Sequence, residues 1–193
     1  SLLEKARRIG KLRTKKETVT VALEEFIQRR RQRRLLKSLG TFDFRKDWNH
    51  KKIDGIVNLV VDTSVWSLVL RRPRVDDANT HVQAFRAYLE SNNGLFLLGN
   101  ILQELLDGLR SSRQVDRLVQ LLEPFPLLDL DRSTYIAAAR LRTACREKGV
   151  LAGPIDFLIA AACCQYGYPL LTADRDFSRI AKHGDLVVVP TVD

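Results

Sequence analysis

Residues 56–66, Ile-Val-Asn-Leu-Val-Val-Asp-Thr-Ser-Val-Trp, form an aliphatic run that ends at an acidic residue, Asp62. The run does not alternate apolar and polar positions, which is typical of a strand covered on both faces in a parallel sheet. Such sheets place their chemistry at the carboxyl ends of their strands. We therefore predict a buried strand that delivers Asp62 to a functional site, with Thr63 and Ser64 beside it. On this stretch alone, the alternative is that Asp62 only caps the next helix.

The composition is that of an ordinary globular protein. The chain has 193 residues, of which 45% are hydrophobic, and no apolar run approaches the length of about 20 residues that a membrane span requires. No charged-then-apolar signal segment opens the sequence. The three cysteines have neither a disulfide pattern nor a zinc-binding spacing, and they are expected to be buried thiols in a reducing compartment. A cytoplasmic protein without a membrane partner is expected.

The net charge of +9 is unevenly distributed along the chain. Residues 1–52 hold 17 Lys and Arg against 6 Asp and Glu, a net +11, whereas residues 53–193 hold 15 against 17, a net −2. A basic module has therefore been joined to a nearly neutral one. The basic module is expected to meet a polyanion or an acidic pocket of its neighbour.

The sequence pattern of the basic module predicts two helices followed by a tail. Apolar residues recur at helical spacing from Leu2 to Ile9, and Thr14 and Glu17 form a capping box for a second helix that ends near Gly40. Because two helices alone cannot close a core, this unit is expected to dimerise or to dock on another surface. The second helix has an apolar stripe of Val19, Ala22, Leu23, Phe26, Ile27, Leu35, Leu36 and Leu39.

Two further features of this module have competing interpretations. The arginines between Arg29 and Arg34 are either a nucleic-acid contact or, the interpretation we favour, a solvated helix face. The stretch after Gly40 lacks a helical period but carries Phe42, Phe44 and Trp48. Three exposed aromatic residues in a tail would promote aggregation, so the tail is expected to bind in a groove. Residues 1–48 are thus one unit, and 49–55 are the linker to a second domain over 56–193.

Strands alternate with helices throughout the second domain. This pattern predicts a three-layer α/β/α fold around a central, mainly parallel sheet. Helices are expected near 64–70, 77–91, after Asn100 as a cap, 113–122, 133–147 and 154–166. After the first strand, further strands are expected at Leu95–Leu98, Pro126–Leu130, Pro169–Thr172 and Leu186–Val189.

Four acidic residues take matching positions in this pattern. Asp62 follows the first strand, Glu104 lies in the helix after the second, Asp156 opens a helix, and Asp174 follows the fourth strand. Clustered carboxylates repel one another unless a cation offsets their charge, and an all-oxygen site suits Mg²⁺ or Mn²⁺. Taken singly, each acid also fits a turn, a cap or a solvated helix.

Each of these acids lies in a short motif. The motifs are Val61-Asp-Thr-Ser-Val-Trp66, Leu102-Gln-Glu-Leu105, Pro154-Ile-Asp-Phe-Leu-Ile-Ala-Ala161 and Leu171-Thr-Ala-Asp-Arg-Asp-Phe177. In this order they resemble the motifs of the PIN-domain ribonucleases that act as VapC-type toxins. The resemblance covers about residues 56–189, and the first 48 residues resemble a VapB-type antitoxin of a truncated ribbon-helix-helix type.

The resemblance implies an activity and a site. The activity would be Mg²⁺-dependent cleavage of RNA, such as tRNA or ribosomal RNA, by a toxin that its antitoxin holds inhibited. One or two metals would activate water, orient the phosphate and stabilise the leaving oxygen. The implied metal and catalytic residues are Asp62, Glu104, Asp156 and Asp174, with Asp176 as a possible outer ligand and Thr63 and Ser64 as supporting donors.

The front segment is expected to inhibit through its tail and to assemble the chain. Arg45, or failing that Lys46, would point a cation at the carboxylates, flanked by the aromatic residues of the tail. From the reach of the chain we expect at least a dimer through residues 2–39, in which the tail either reaches the site of the neighbouring copy or is not covalently continuous with the domain that it blocks. Because the DNA-entering strand of related antitoxins is missing here, operator binding is not carried over.

Two other functions compete with this interpretation. A DNA-binding autorepressor or binding module with an inactive PIN-like domain would be favoured if one of the first three acids were absent, and none is. A phosphotransferase that forms an aspartyl phosphate would need a second aspartate two residues after Asp62. The chain has Ser64 at that position.

Overall fold

A computed structural model describes residues 1–38, 58–70, 78–91 and 94–191 of the chain, without the side chains of residues 35–38. The predicted tail, with Phe42, Phe44, Arg45, Lys46 and Trp48, lies outside the described residues, as do the linker 49–55 and the first residues of the strand expected from Ile56. Within the described part of the chain, no helix is long and apolar enough to cross a membrane.

The chain begins with two helices, α1 (Leu2–Ile9) and α2 (Lys15–Ser38), which pack against each other. The predicted capping box is confirmed, because Thr14 Oγ1 accepts a hydrogen bond from the Glu17 amide (3.0 Å) and Glu17 Oε2 accepts one from the Thr14 amide (3.4 Å). These reciprocal bonds satisfy amide groups that a helix start leaves without partners. They fix the turn between the two helices.

In the part of the chain that the structure describes, the sheet has four strands, all parallel, in the order β3-β2-β1-β4. The predicted mainly parallel α/β class is confirmed, and the buried run that decides the fold provides a central strand of which Leu59, Val60 and Val61 have no exposed surface. The strands are β1 (Leu59–Val61), β2 (Leu95–Leu98), β3 (Leu127–Leu128) and β4 (Leu170–Leu171).

The fifth strand expected at Leu186–Val189 is reduced to a single parallel bridge between Val188 and Leu170. Leu170 makes both hydrogen bonds of this bridge, because its amide donates to Val187 O (2.8 Å) and its carbonyl accepts from the Val189 amide (2.9 Å). The Tyr168 amide is the preceding donor on the same side of the strand, and it donates instead to Cys163 O at the end of a helix (2.9 Å). Pairing therefore does not extend from the bridge toward the amino end of β4.

Helices cover both faces of the sheet. Trp66 is fully buried between Phe85 and Phe125, with ring centroids 5.0 and 5.1 Å away in edge-to-face arrangements. Cys145 and Cys163 are buried thiols, as expected, whereas Cys164 is only partly buried. After β1, the helices of this domain are α3 (Thr63–Leu70), α4 (Thr80–Glu90), α5 (Gly99–Asp107), α6 (Ser112–Leu122), α7 (Arg132–Glu147), α8 (Pro154–Tyr166) and α9 (Arg175–Ile180).

The cap expected of Asn100 is wrong. Helix α5 begins one residue earlier, at Gly99, and no side chain caps it. Asn100 therefore lies inside the first turn, where its side chain is beyond the capping position. Its Oδ1 and Nδ2 atoms are buried and have no hydrogen-bond partner among the described residues.

Candidate active site

The carboxyl edge of the sheet gathers the predicted acidic residues. Asp62 follows β1 directly, Glu104 lies in the second turn of α5 beyond β2, and Asp174 precedes α9 beyond β4. Asp156 reaches this edge from the first turn of α8. The positions follow from the parallel topology, because all four strands end at the same edge.

Asp62 is held by one of its two carboxylate oxygens. Its Oδ2 accepts hydrogen bonds from Ser64 Oγ (2.5 Å) and Thr172 Oγ1 (2.9 Å), with a longer one from the Ser64 amide (3.3 Å). The residue is only 6% exposed. Asp62 thus accepts a hydrogen bond from the start of α3, as the capping alternative required. It also accepts one from Thr172, which follows the neighbouring strand β4.

Thr172 joins two acidic residues and was not assigned a role from the sequence. Its Oγ1 donates to Asp62 Oδ2 and accepts from the Asp174 amide (3.0 Å), while the residue is 4% exposed. A hydroxyl residue at the carboxyl end of a predicted parallel strand, two positions before an acid, was the available signal. This signal could assign Thr172 to the site only if β4 was known to lie beside β1.

Glu104 contacts the site through Thr63. Thr63 Oγ1 donates to Glu104 Oε2 (2.8 Å), and Thr63 is 8% exposed whereas Glu104 is exposed. Thr63 and Ser64 therefore each donate a hydroxyl to a different carboxylate. The two adjacent residues link the helix after β2 to the end of β1.

Asp156 is the half-buried member of the group. Its Oδ2 accepts a hydrogen bond from the Gly153 amide (2.7 Å), which closes the first turn of α8. Burial raises the pKa of the Asp156 carboxyl, and the negative charges of Asp174, Asp62 and Asp176 raise it further, although the Gly153 hydrogen bond acts in the opposite direction. The charges of these four carboxylates are therefore coupled.

Asp174 and Asp176 stand at the start of α9. Asp174 is exposed and caps the helix, with its Oδ1 accepting from the Asp176 amide (2.9 Å). Asp176 Oδ1 already has a cation beside it, since Arg179 Nη1 lies 2.9 Å away in a salt bridge. Among the described residues, Asp176 is the only one of the five acids that has a basic side chain in a salt bridge.

One arrangement is shared by four carboxylates, those of Asp62, Glu104, Asp156 and Asp174. Each uses one oxygen as a hydrogen-bond acceptor and has no donor on the other oxygen among the described residues. Oxygen donors of this kind suit Mg²⁺ or Mn²⁺. As the side chains stand in the described ranges, no three Asp, Glu, His or Cys residues lie close enough to hold one ion. The donor chemistry fits a divalent cation, and binding would require the side chains to move together.

The PIN domain family model matches residues 59–183. The chain belongs to the PIN domain family, whose members are generally nucleases. Residues 1–39 match the family described as the bacterial antitoxin of type II toxin–antitoxin systems, VapB. The predicted order, a VapB antitoxin segment followed by a PIN domain, is thereby confirmed.

Solved structures of VapBC and FitAB proteins share the fold. VapBC-1 from nontypeable Haemophilus influenzae has a TM-score of 0.56 and 18% identity, over 69% of this chain and 97% of that chain. FitAcB from Neisseria gonorrhoeae has a TM-score of 0.55 and 23% identity, over 68% and 96%. VapBC2 from Rickettsia felis, bound to a DNA fragment from its promoter, has a TM-score of 0.54 and 18% identity, over 69% and 98%. A search of the curated proteins found no match.

Proposed function

We propose that this chain is a type II toxin–antitoxin pair in one polypeptide, in which residues 56–193 are a Mg²⁺-dependent endoribonuclease and residues 1–48 inhibit it. The observation that carries the proposal is the coupled group of carboxylates at the carboxyl edge of a PIN domain. RNA is the proposed substrate, with a structured tRNA or ribosomal RNA as the target class. Its place of action would be the cytoplasm.

Asp62, Glu104, Asp156 and Asp174 would hold the metal ion, with Asp176 farther out because Arg179 already offsets its charge. When bound, the ion would supply positive charge to the phosphate and to the leaving oxygen. The surrounding hydroxyls would aim the carboxylates. Thr172 and Ser64 hold one oxygen of Asp62, so that its other oxygen is oriented without a competing donor.

The proposed inhibition uses opposite charges. The tail carries Arg45 and Lys46 between aromatic residues, and the edge of the sheet carries an excess of carboxylates that a cation would stabilise. A guanidinium placed there would occupy the position of the metal ion and would block the approach of a phosphate. The full chain should therefore be much less active than a chain reduced to the PIN domain.

The apolar surface of the N-terminal helices supports an oligomer. Leu2 and Ile9 are 85% and 80% exposed, and four apolar residues of α2 are between 44% and 55% exposed. A second copy of these helices would bury this surface, as symmetric dimers commonly do. The four residues of α2 are Val19, Leu23, Phe26 and Ile27.

The test is to incubate total RNA with the 53–193 fragment, with and without Mg²⁺, and to map the new RNA ends. Circular dichroism would first establish that the fragment is folded. The proposal predicts cuts at defined sites that require the metal and that the full chain makes far more slowly. Binding of Mn²⁺, followed by its electron paramagnetic resonance signal, gives a readout independent of cleavage. A folded fragment that neither binds Mn²⁺ nor cuts RNA would favour a binding module with an inactive PIN domain.

A further inference from the structure

Helix α2 lies against the PIN domain through a polar face, while its apolar stripe is exposed. Gln32 is 3% exposed, and its Nε2 donates to the carbonyl oxygens of Leu95 (3.1 Å) and Pro124 (3.1 Å). Gln28 Nε2 adds a longer bond to Pro124 O (3.3 Å), and Arg33 Nη2 donates to Ser91 O (3.1 Å). Three side chains of one helix thus bind main-chain carbonyls of the domain.

Gln32 binds two carbonyls at the point where the hydrogen-bonded pairing of β2 with β3 ends. Leu97 pairs with Leu127, and the Leu97 amide donates to Pro126 O (3.0 Å). If this parallel pairing continued two residues farther toward the amino ends of the strands, the Leu95 amide would donate to Pro124 O. The amide of residue 126 would donate to Leu95 O. Residue 126 is a proline, which has no N–H group to donate.

Gln32 supplies a donor where the proline removes one. A buried carbonyl without a donor loses its hydrogen bonds to water without replacement, which destabilises the folded state. The side-chain amide of Gln32 reaches both Leu95 O and Pro124 O with one nitrogen. Its shape and chemistry therefore match the defect that Pro126 leaves at the edge of the sheet.

This contact is on the opposite edge of the sheet from the carboxylates. Leu95 opens β2 and Pro124 precedes β3, so both lie at the amino ends of strands, whereas Asp62 and Glu104 follow the carboxyl ends. The position of α2 on the domain is thus fixed away from the candidate active site. Docking of the helix and the proposed blocking of the site would therefore be carried out by different residues.

We propose that Gln32 is the recognition residue by which the VapB-like helix is fixed on this PIN domain, and that the surface formed by Leu95, Pro124 and Pro126 accepts a helix bearing a primary amide at that position. The docking claim depends on the proposed function only in naming α2 as part of an inhibitor. A helix with an apolar residue there would leave Leu95 O without a donor among the described residues, and Pro124 O with only the longer bond from Gln28. Selection between related helices would follow from this difference.

The test is hydrogen–deuterium exchange of the full chain with Gln32→Met, which keeps the length of the side chain and removes its amide. Exchange of α2 amides over residues 24–34 should accelerate about tenfold or more, because loss of the contact lets the helix detach and open. Amides of β1 and β2 should keep their protection. Gln120→Met, the same substitution at an exposed position of α6, is the matched control and should leave α2 exchange unchanged.

A double-mutant cycle tests the role of the proline. Pro126→Ala restores an N–H group for Leu95 O, so the effect of Gln32→Met on α2 exchange should be smaller in that background. If Gln32→Met unfolds the domain, Gln28→Met replaces it and should accelerate α2 exchange in the same direction by a smaller factor. Unchanged α2 exchange in a folded Gln32→Met chain, or an effect independent of Pro126, would overturn the proposal. Neither result bears on RNA cleavage, which tests the proposed function separately.

Discussion

Asp62 depends on two hydroxyl groups from different parts of the chain. Ser64 is its sequence neighbour and was expected beside it, but Thr172 comes from 110 residues farther along and contacts the same oxygen at 2.9 Å. A local pattern can place a donor two residues away, because the start of a helix has fixed geometry. It cannot place a donor from another strand until the order of the strands is known.

We predict that Thr172→Val lowers RNA cleavage by the 53–193 fragment about 10- to 100-fold, the range observed when a donor that orients a metal-binding side chain is removed. Valine keeps the shape but removes two hydrogen bonds of a buried hydroxyl, so some loss of stability is expected, and cleavage is measured at a temperature at which circular dichroism shows the variant to be folded. The Mg²⁺ concentration for half-maximal activity should rise. Thr172→Ser keeps the hydroxyl and should restore most of the activity. A valine variant with normal activity and normal Mg²⁺ dependence would show that Thr172 does not position Asp62.

Gln32 shows a different limit of sequence reasoning. A glutamine in an arginine-rich helix is typical of a solvated surface, and only the register of β2 against β3 reveals two carbonyls that need its amide. The same helix also contains the apolar residues that were expected to find a partner. The sequence identified which side chains needed covering but not which face would dock on the PIN domain.

At the scale of elements, local signals predicted most of the fold. The unbroken aliphatic run became β1, the Thr14–Glu17 pair capped α2, and Asp156 opened α8. The failures concern pairing over long distances. The chain at 186–189 has the composition of a strand, but it pairs with β4 only through Leu170, because the preceding donor on that side, the Tyr168 amide, binds Cys163 O.

Helix α8 carries Asp156 and is supported by α7, so the contact between these helices should influence the stability of the whole domain. Thr134 of α7 is fully buried, and its Oγ1 donates to Gln165 Oε1 of α8 (2.5 Å) and contacts Asp131 Oδ1 (2.8 Å). Loss of these bonds in a buried position should cost more than any gain in apolar burial.

We predict that Thr134→Val lowers the free energy of unfolding by about 1–3 kcal/mol, because it removes buried hydrogen bonds while keeping the shape of the side chain. Urea unfolding followed by circular dichroism measures the change. Thr143→Val is the control on the same helix. Thr143 is exposed and its hydroxyl donates only to Ala139 O (3.0 Å), so it should change stability by less than about 0.5 kcal/mol. Equal effects of the two substitutions would contradict a special role for Thr134.

At the scale of the whole molecule, the exposed apolar stripe of the N-terminal helices predicts self-association. Sedimentation at micromolar concentration should give a mass at least twice the 22.0 kDa of one chain. Leu23→Glu with Phe26→Glu should shift the population toward the monomer, because charged residues would have to be desolvated in the dimer contact. Val187→Glu, at a position 61% exposed on the PIN domain, is the control and should leave the mass unchanged. A compact monomer for the parent chain would contradict this prediction.

The inhibitory tail remains a prediction from the sequence. We expect Arg45→Ala together with Lys46→Ala to raise RNA cleavage by the full chain toward that of the 53–193 fragment, because no cation would then compete for the carboxylates. Arg30→Ala with Arg31→Ala removes the same charge from an exposed stretch of α2 and serves as the control. Inhibition that persists without Arg45 and Lys46 would exclude a charge-based block and favour one by the aromatic residues.

The most direct test of the proposed metal-dependent nuclease activity is cleavage of RNA by the folded 53–193 fragment carrying Asp62→Asn or Asp156→Asn, measured over a range of Mg²⁺ concentrations. Each substitution removes a charge from the proposed metal site while keeping nearly the same shape, so cleavage should fall to the level seen without Mg²⁺. Asp116→Asn, on the exposed surface of α6, should cut RNA at the parent rate. Cleavage by either site variant at near the parent rate, with an unchanged dependence on Mg²⁺, would contradict the assignment of these carboxylates.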